Sequence, residues 1–244
     1  MTLPQPLGFP RCARCAYRIN GTPRICAGCA QHTLQPVPVE HCTVCSQALP
    51  GPGAVCGNTI CSWPLQRRCF TRVDAIAMYS GALEQVLKRY KYPPSRHGWA
   101  AIFGRLLIGW LEAHADQVAD IDLIIGNPTH PDRDPFQHIE LMLDAAAAED
   151  TAQRWPLATT AAPVLTKTAA TPRSVGGGWS AKMLAARQHA DALHLHRDLT
   201  GQKILLVDDV FTTGAQIHTV AHHLMHTGHA REVRGLVLAR VPWS

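Results

Sequence analysis

The chain has 244 residues, of which 23 are lysine or arginine and 18 are aspartate or glutamate, so its formal charge is +5. This length suits one sizeable domain and a smaller one. No apolar run approaches the ~20 residues that a membrane-spanning helix needs. The composition therefore excludes a transmembrane protein, and we expect a cytoplasmic one.

The N-terminal quarter of the chain is rich in cysteine. Nine cysteines occur between positions 12 and 69, and eight of them form pairs. The first four read C-x2-C-x10-C-x2-C and the next four read C-x2-C-x10-C-x4-C, which makes a short internal repeat. Each half offers four thiolates at spacings typical of a tetrahedral zinc site. The predicted metal ligands are Cys12, Cys15, Cys26, Cys29, Cys42, Cys45, Cys56 and Cys61.

A disulfide framework is the alternative interpretation of these cysteines. It needs an oxidising compartment, and the first residues have neither the charged start nor the apolar core of a signal peptide. We therefore predict two structural zinc ions. Sequential sets of four ligands are the simplest arrangement, interleaved sets stay open, and Cys69, His32 or His41 could replace a ligand.

The predicted metal ions change the interpretation of the charge. Eight thiolates subtract eight charges and two zinc ions restore four, which leaves +1. The formal net positive charge is therefore weak support for nucleic-acid binding.

We predict a small zinc-stabilised module at residues 1–71 and a larger domain at residues 72–244. Strand-like and helix-like segments alternate in the larger domain, which is typical of an α/β fold with a mostly parallel sheet flanked by helices. The predicted strands are 74–79, 121–125, 162–166, 203–207 and 233–241. The predicted helices are 81–92, 99–118, 136–154, 180–195 and 215–226. Ligands of such sheets bind beyond the carboxyl ends of the strands, so we expect Asn127, Asp208 and the turn after Thr166 at one edge.

The strongest functional pattern lies at residues 203–215. An apolar strand ends at Asp208 and Asp209, and a turn rich in hydroxyl groups and glycine leads into a helix. A helix N-terminus with free backbone N–H groups favours a phosphate. The two carboxylates can accept hydrogen bonds from sugar hydroxyls or lie near Mg²⁺. The pattern predicts a site for a phosphorylated sugar.

This stretch closely resembles the phosphoribosyl pyrophosphate (PRPP) signature of type I phosphoribosyltransferases. The resemblance implies that the two aspartates hold the ribose 2- and 3-hydroxyls and that residues 212–214 hold the 5-phosphate. By this resemblance the PRPP-binding residues are Asp208, Asp209, Val210, Phe211, Thr212, Thr213, Gly214 and Ala215. One departure is Gln216, because the signature usually has Thr or Ser there.

A cysteine-rich zinc module ahead of such a domain resembles the ComF (competence protein F) family, also called GntX-like, over nearly the whole chain. Further similar segments are residues 79–81 with the lysine-rich helix end at 87–92, the Pro-x-His turn at 127–130, and Lys167 with the Thr-Pro pair at 171–172. Residues 131–138 and 173–179 depart from the family, because most of its usual basic residues are missing there. In the phosphoribosyltransferase fold these two regions face the pyrophosphate.

The ComF resemblance implies a PRPP-binding protein associated with DNA uptake in natural transformation or with nucleotide-linked metabolism, with Mg²⁺ bound alongside PRPP. It implies PRPP or another phosphorylated ribose as ligand, and single-stranded DNA or a DNA-uptake helicase or channel as partner. One alternative is an active phosphoribosyltransferase with an unknown acceptor, in which Asp208, Asp209 and Lys167 are catalytic. The other is a zinc-dependent nucleic-acid or protein adaptor with a vestigial PRPP site. The glycine run at 176–178 indicates either a lid hinge or a surface loop.

Overall fold

A computed structural model of the chain describes residues 27–92, 97–130, 132, 136–171 and 178–243. The predicted ligands Cys12, Cys15 and Cys26, and residues 172–177 with most of the glycine run, lie outside the described residues.

The described residues form six strands and eight α-helices. The strands are β1 (Val73–Met78), β2 (Leu123–Gly126), β3 (Leu165–Lys167), β4 (Leu193–Leu195), β5 (Lys203–Phe211) and β6 (Glu232–Arg240). The helices are α1 (Ala27–Thr33), α2 (Leu65–Arg68), α3 (Gly81–Lys91), α4 (Trp99–Ala113), α5 (Ala115–Val118), α6 (His138–Glu149), α7 (Trp179–Asp191) and α8 (Ala215–His226). A single 3₁₀ helix spans Thr59–Ser62 in the cysteine-rich segment.

Four strands form a parallel sheet in the order β1-β6-β5-β2. The predicted α/β class with a parallel sheet flanked by helices is therefore confirmed. Residues along β5 alternate between two cores: Leu205 and Val207 join the cluster formed with α3, α4 and α6, and Ile204 and Leu206 join the cluster that contains α8. Burial on both faces explains why this strand is a continuous apolar run.

Two predicted helices extend too far, and the first is the segment 136–154, because α6 ends at Glu149. The segment 180–195 was expected to be helical throughout, but α7 ends at Asp191 and residues 193–195 form β4. There the helical pattern gives way to alternation, because Leu193 and Leu195 flank an exposed His194. β4 pairs with β3 in an antiparallel arrangement, separate from the main sheet.

The second half of the cysteine-rich segment packs directly on the sheet. The backbone N–H of Val73 donates to the carbonyl of Val44 at 2.8 Å, and Ser46 Oγ donates to the carbonyl of Val73 at 2.9 Å. Cys42 and Cys45 belong to the same apolar cluster as α8 and the sheet face beneath it. Residues 42–70 thus share a core with the larger α/β unit.

In the part of the chain that the structure describes, no helix is both long and apolar enough to cross a membrane.

Candidate ligand cleft and cysteine cluster

The carboxyl end of β2 lies beside the middle of β5, because the strand predicted to end at Val207 continues to Phe211 and includes both aspartates. Gly126 pairs with Val207 in the parallel register, so Asn127 and Asp208 follow at equivalent positions. Asn127 Nδ2 donates to Asp208 Oδ2 at 2.8 Å. The expected meeting of these two residues is confirmed, and Lys167, after the end of the predicted third strand, lines the same cleft.

Asp208 is held by a buried chain of polar groups. His189 Nε2 lies 2.8 Å from Asn127 Oδ1, while Asp208 Oδ1 accepts the backbone N–H of Asp209 at 2.8 Å. Burial and then the positive charge of Lys167 lower the pKa of His189 to about 3, so its neutral ring donates to the Asn127 oxygen. Burial, and next the charge of Asp209, raise the pKa of Asp208 to about 7.

Asp209 has a different environment from its neighbour. Its Oδ2 atom lies 2.7 Å from Lys91 Nζ and 2.8 Å from His138 Nε2. Burial alone would raise the pKa of Asp209, but the Lys91 charge and the His138 hydrogen bond outweigh it and hold the pKa well below its usual range. The two carboxyl groups thus have pKa values shifted in opposite directions, lowered for Asp209 and raised for Asp208.

The turn after β5 presents backbone N–H groups. Among the described residues, the N–H groups of Thr212, Thr213 and Gly214 donate to no protein acceptor. Gly214 has a φ of 85° and is the N-cap of α8, a conformation that side chains disfavour. A Cβ atom at Gly214 would lie 2.6 Å from Phe211 Cζ. The turn therefore requires glycine, and it points free donors outward at the start of a 12-residue helix.

The aspartates and the turn line one open cleft of about 760 Å³. All eight sequence-predicted PRPP residues, 208–215, border it. Four lysines contribute positive charge: Lys88, Lys91, Lys167 and Lys182. Lys167 Nζ donates to Thr171 Oγ1 at 2.6 Å. The cleft combines a cationic lining with a buried anionic pair, which suits an anionic ligand that carries hydroxyl groups.

The second half of the cysteine-rich segment gathers four thiols. The Sγ atoms of Cys42, Cys45, Cys56 and Cys61 all lie within 4.8 Å of one another. Cys45 Sγ and Cys56 Sγ are 3.8 Å apart, too far for a disulfide. Tetrahedral metal–thiolate bonds of about 2.3 Å would separate the sulfurs by about 3.8 Å. These four cysteines could therefore bind a metal ion such as zinc, and they are the sequential set expected for this half.

The remaining described cysteines lie elsewhere. Cys29 is buried in the core on the α3 side of the sheet, and its predicted partners lie outside the described residues. Cys69 is 2% exposed, with its Sγ 3.7 Å from the carbonyl oxygens of Gln66 and Arg67. His41 is exposed and its Nδ1 contacts the Pro38 carbonyl at 2.8 Å. Neither Cys69 nor His41 joins the four-thiol cluster.

Three polar side chains of the site were not assigned from the sequence. Lys91 was noted only as part of a lysine-rich helix end, and His138 and His189 were not singled out. Lys91 is 118 positions away from Asp209, so no local spacing could join them. A signal was present at both histidines, because the residues three and four positions away are apolar or small: Leu141 and Met142 for His138, and Ala185 and Ala186 for His189.

No protein-family model matches the chain, and the search of curated proteins also found no match.

Proposed function

We propose that the chain binds PRPP, or another ribose 5-phosphate, in the cleft at the carboxyl end of β5. The observation that carries this proposal is the row of free N–H groups at 212–214 beside the buried pair Asp208 and Asp209. A phosphate accepts hydrogen bonds from such a turn and is favoured by the start of α8. The two threonine hydroxyls supply further donors.

The ribose ring fits the aspartate pair. An ionised carboxylate has about four acceptor positions, and Asp208 uses one on each oxygen for protein partners. Asp209 Oδ2 is occupied by Lys91 and His138, and Asp209 Oδ1 accepts no hydrogen bond from the residues that the structure describes. Both aspartates thus retain acceptor capacity for the 2- and 3-hydroxyls of a ribose.

The lysines of the cleft suit the pyrophosphate group. Lys91 on α3 and Lys167 on β3 both line the cleft that contains the aspartates. Mg²⁺ would accompany the pyrophosphate, as the resemblance implies, and neutralise part of its charge. The protein's own contribution is to fix the ribose and the 5-phosphate.

We propose that the four-thiol cluster binds one structural zinc ion. Four cysteine ligands close the coordination sphere, which is typical of structural rather than catalytic zinc. The second zinc ion, bound by the first four cysteines, is a proposal from the sequence alone. A ComF-like role in DNA uptake, with single-stranded DNA or an uptake helicase as partner, rests likewise on resemblance.

Pentosyl transfer from PRPP is a second candidate, favoured by two lysines that line the cleft, the partly exposed Lys91 and the buried Lys167. Fixed cations near the leaving pyrophosphate would stabilise the charge that develops on it. Release of pyrophosphate from PRPP in the presence of candidate acceptors tests this activity.

The binding proposal is tested by calorimetric titration of PRPP with Mg²⁺ into the zinc-loaded protein. We expect binding in the wild type and at least a tenfold loss, about 1.4 kcal/mol, in an Asp208→Asn/Asp209→Asn double variant. Because those positions are buried, a second variant, Thr212→Ala/Thr213→Ala, changes only the half-exposed turn. Absence of binding in the folded wild type would reject the proposal and favour an adaptor with a vestigial site.

A further inference from the structure

Arg240, at the end of β6, connects the cysteine cluster to the turn of the ligand cleft. Its side chain is fully buried, at 0% exposure. On one side, its Nε donates to the carbonyl of Cys45 at 2.9 Å, and its Nη2 lies 3.7 Å from Cys45 Sγ. On the other side, its Nη1 donates to the carbonyls of Phe211 at 3.3 Å and Thr212 at 3.0 Å.

The charge of this arginine has an unusual compensation. Among the described residues, no carboxylate lies within ion-pair distance of Arg240. A buried guanidinium without an anion is costly. The Cys45 sulfur, 3.7 Å from Arg240 Nη2, is able to carry negative charge, because it becomes a thiolate when it binds a metal ion. A metal-bound set of four thiolates has a net charge of −2 with a divalent ion, which opposes the arginine charge.

The same arginine orients the turn. In a trans peptide the carbonyl and the following N–H point in opposite directions. The carbonyls of Phe211 and Thr212 point toward Arg240, so the N–H groups of Thr212 and Thr213 point away from it. Those are two of the three free donors that the proposed phosphate would use.

A second, apolar contact runs in parallel. Ile60 lies in the 3₁₀ helix between Cys56 and Cys61 and is fully buried. Its Cγ2 would be 3.2 Å from a Cβ atom at Gly214. The cysteine cluster thus packs against the turn through Ile60 as well as through Arg240.

We propose that the metal-loaded cysteine cluster sets the geometry of the phosphate-binding turn through Arg240, so that metal binding and sugar-phosphate binding are coupled. Arg240 is then a positioning residue that never touches the ligand. Coupling of this kind is reciprocal: the ligand changes the metal site by the same free energy as the metal changes the ligand site. This inference rests on the proposed ribose-phosphate site.

The test uses the full chain loaded with Co²⁺, whose thiolate charge-transfer absorption reports the geometry at the sulfurs. Ribose 5-phosphate is titrated into the wild type, into Arg240→Lys, and into Arg234→Lys as control. Lysine keeps the charge but cannot bridge Cys45 and the turn at once. Arg234 lies on the same strand and is equally well bonded, to Asp120 and Glu232, away from the cluster.

We expect ribose 5-phosphate to shift the Co²⁺ spectrum of the wild type and of Arg234→Lys. We expect Arg240→Lys to retain its metal, to bind ribose 5-phosphate about tenfold more weakly, and to show no shift. Wild-type binding without a spectral shift, together with unchanged affinity in Arg240→Lys, would overturn the coupling.

A wild type that binds no ribose 5-phosphate would instead reject the proposed function. Whether the cysteine cluster is linked to the turn is then tested by measuring the deuterium uptake of residues 211–218 in the wild type, with and without metal. Faster uptake after metal removal, confined to this segment and the cysteine cluster, supports the link. Uptake that does not change with metal overturns it.

Discussion

Lys91 is the side chain on which the ionised state of the aspartate pair most depends. Its ammonium group lies 2.7 Å from Asp209 Oδ2, and the carboxylate is 5% exposed. Without Lys91, whose side chain is 22% exposed, the buried carboxylate would keep only its contact with His138. Lys91 therefore stabilises the fold even before any ligand is considered.

We expect Lys91→Met to lower the free energy of unfolding by about 3 kcal/mol, as measured by urea denaturation at pH 7. The matched control is Lys88→Met on the same helix. Lys88 Nζ contacts Glu84 Oε1 at the protein surface. A surface pair of this kind contributes little. Equal stability of Lys91→Met and Lys88→Met would contradict the buried pairing.

Asp208 makes the stability of the fold depend on pH, with a sign opposite to that of the contribution from Asp209. Burial, and next the charge of Asp209, raise the pKa of Asp208 in the folded state to about 7 from its ordinary value of 3.8. The stabilisation from a raised pKa is complete below the unfolded-state value and is lost as pH rises through the folded-state value. Ionisation of Asp208 therefore weakens the fold between about pH 4 and pH 7.

An Asp208→Asn variant removes this titration. We expect its stability relative to the wild type to increase from pH 5 to pH 8, as measured by denaturant unfolding at both values. The contribution of Asp209 to stability has the opposite pH dependence, because its pKa is lowered and the stabilisation is lost only as pH falls into the acid range. A constant difference between Asp208→Asn and wild type across this range would show that Asp208 is ionised throughout.

At the scale of the elements, the turn between β5 and α8 depends on one glycine. Gly214 has a φ of 85°, and a Cβ atom at this position would clash with Phe211. Gly53 has a similar φ of 76° but open space around it. Alanine variants at Gly214 and Gly53 therefore separate the cost of backbone strain from the cost of a steric clash.

We expect Gly214→Ala to cost about 2 kcal/mol and to abolish ribose-phosphate binding, because the free N–H groups are displaced. Gly53→Ala should cost about 1 kcal/mol, from backbone strain alone, and leave binding intact. Thermal unfolding and calorimetric titration of both variants give the comparison. Normal ligand affinity in Gly214→Ala would exclude the turn from the binding site.

The elements differ in how far the sequence could predict them. Helix α8 has the predicted bounds, because Ile217, Val220, Ala221 and Leu224 recur at helical spacing and are all buried. The helix predicted at 99–118 is instead α4 and α5, which meet at His114. The predicted end of α7 was wrong, since the short strand β4 depends on pairing with β3, a contact between distant segments.

At the scale of the whole molecule, the cysteine cluster is part of the body that holds the cleft. Cysteine spacing predicted the set at positions 42, 45, 56 and 61 as the simplest arrangement but left interleaved sets open, and the fold brings these four together. Spacing could not predict that Arg240, 195 residues after Cys45, would join this set to the turn. Such long-range contacts arise only when the sheet brings the end of β6 beside β5.

We expect removal of the metal by a chelator to lower the melting temperature, because these thiols replace part of an apolar core. A Cys56→Ser variant should bind one equivalent of zinc less than the wild type by elemental analysis. Cys69→Ser, at a buried cysteine outside the cluster, should bind as much zinc as the wild type. Equal zinc content in Cys56→Ser and wild type would exclude the cluster as a metal site.

The most direct test of the central claim is a crystal structure of the zinc-loaded protein with PRPP and Mg²⁺. We expect the 5-phosphate within hydrogen-bond distance of the N–H groups of residues 212–214, and the ribose hydroxyls on Asp208 and Asp209. A phosphate bound elsewhere, with this turn unoccupied at saturating PRPP, would contradict the account.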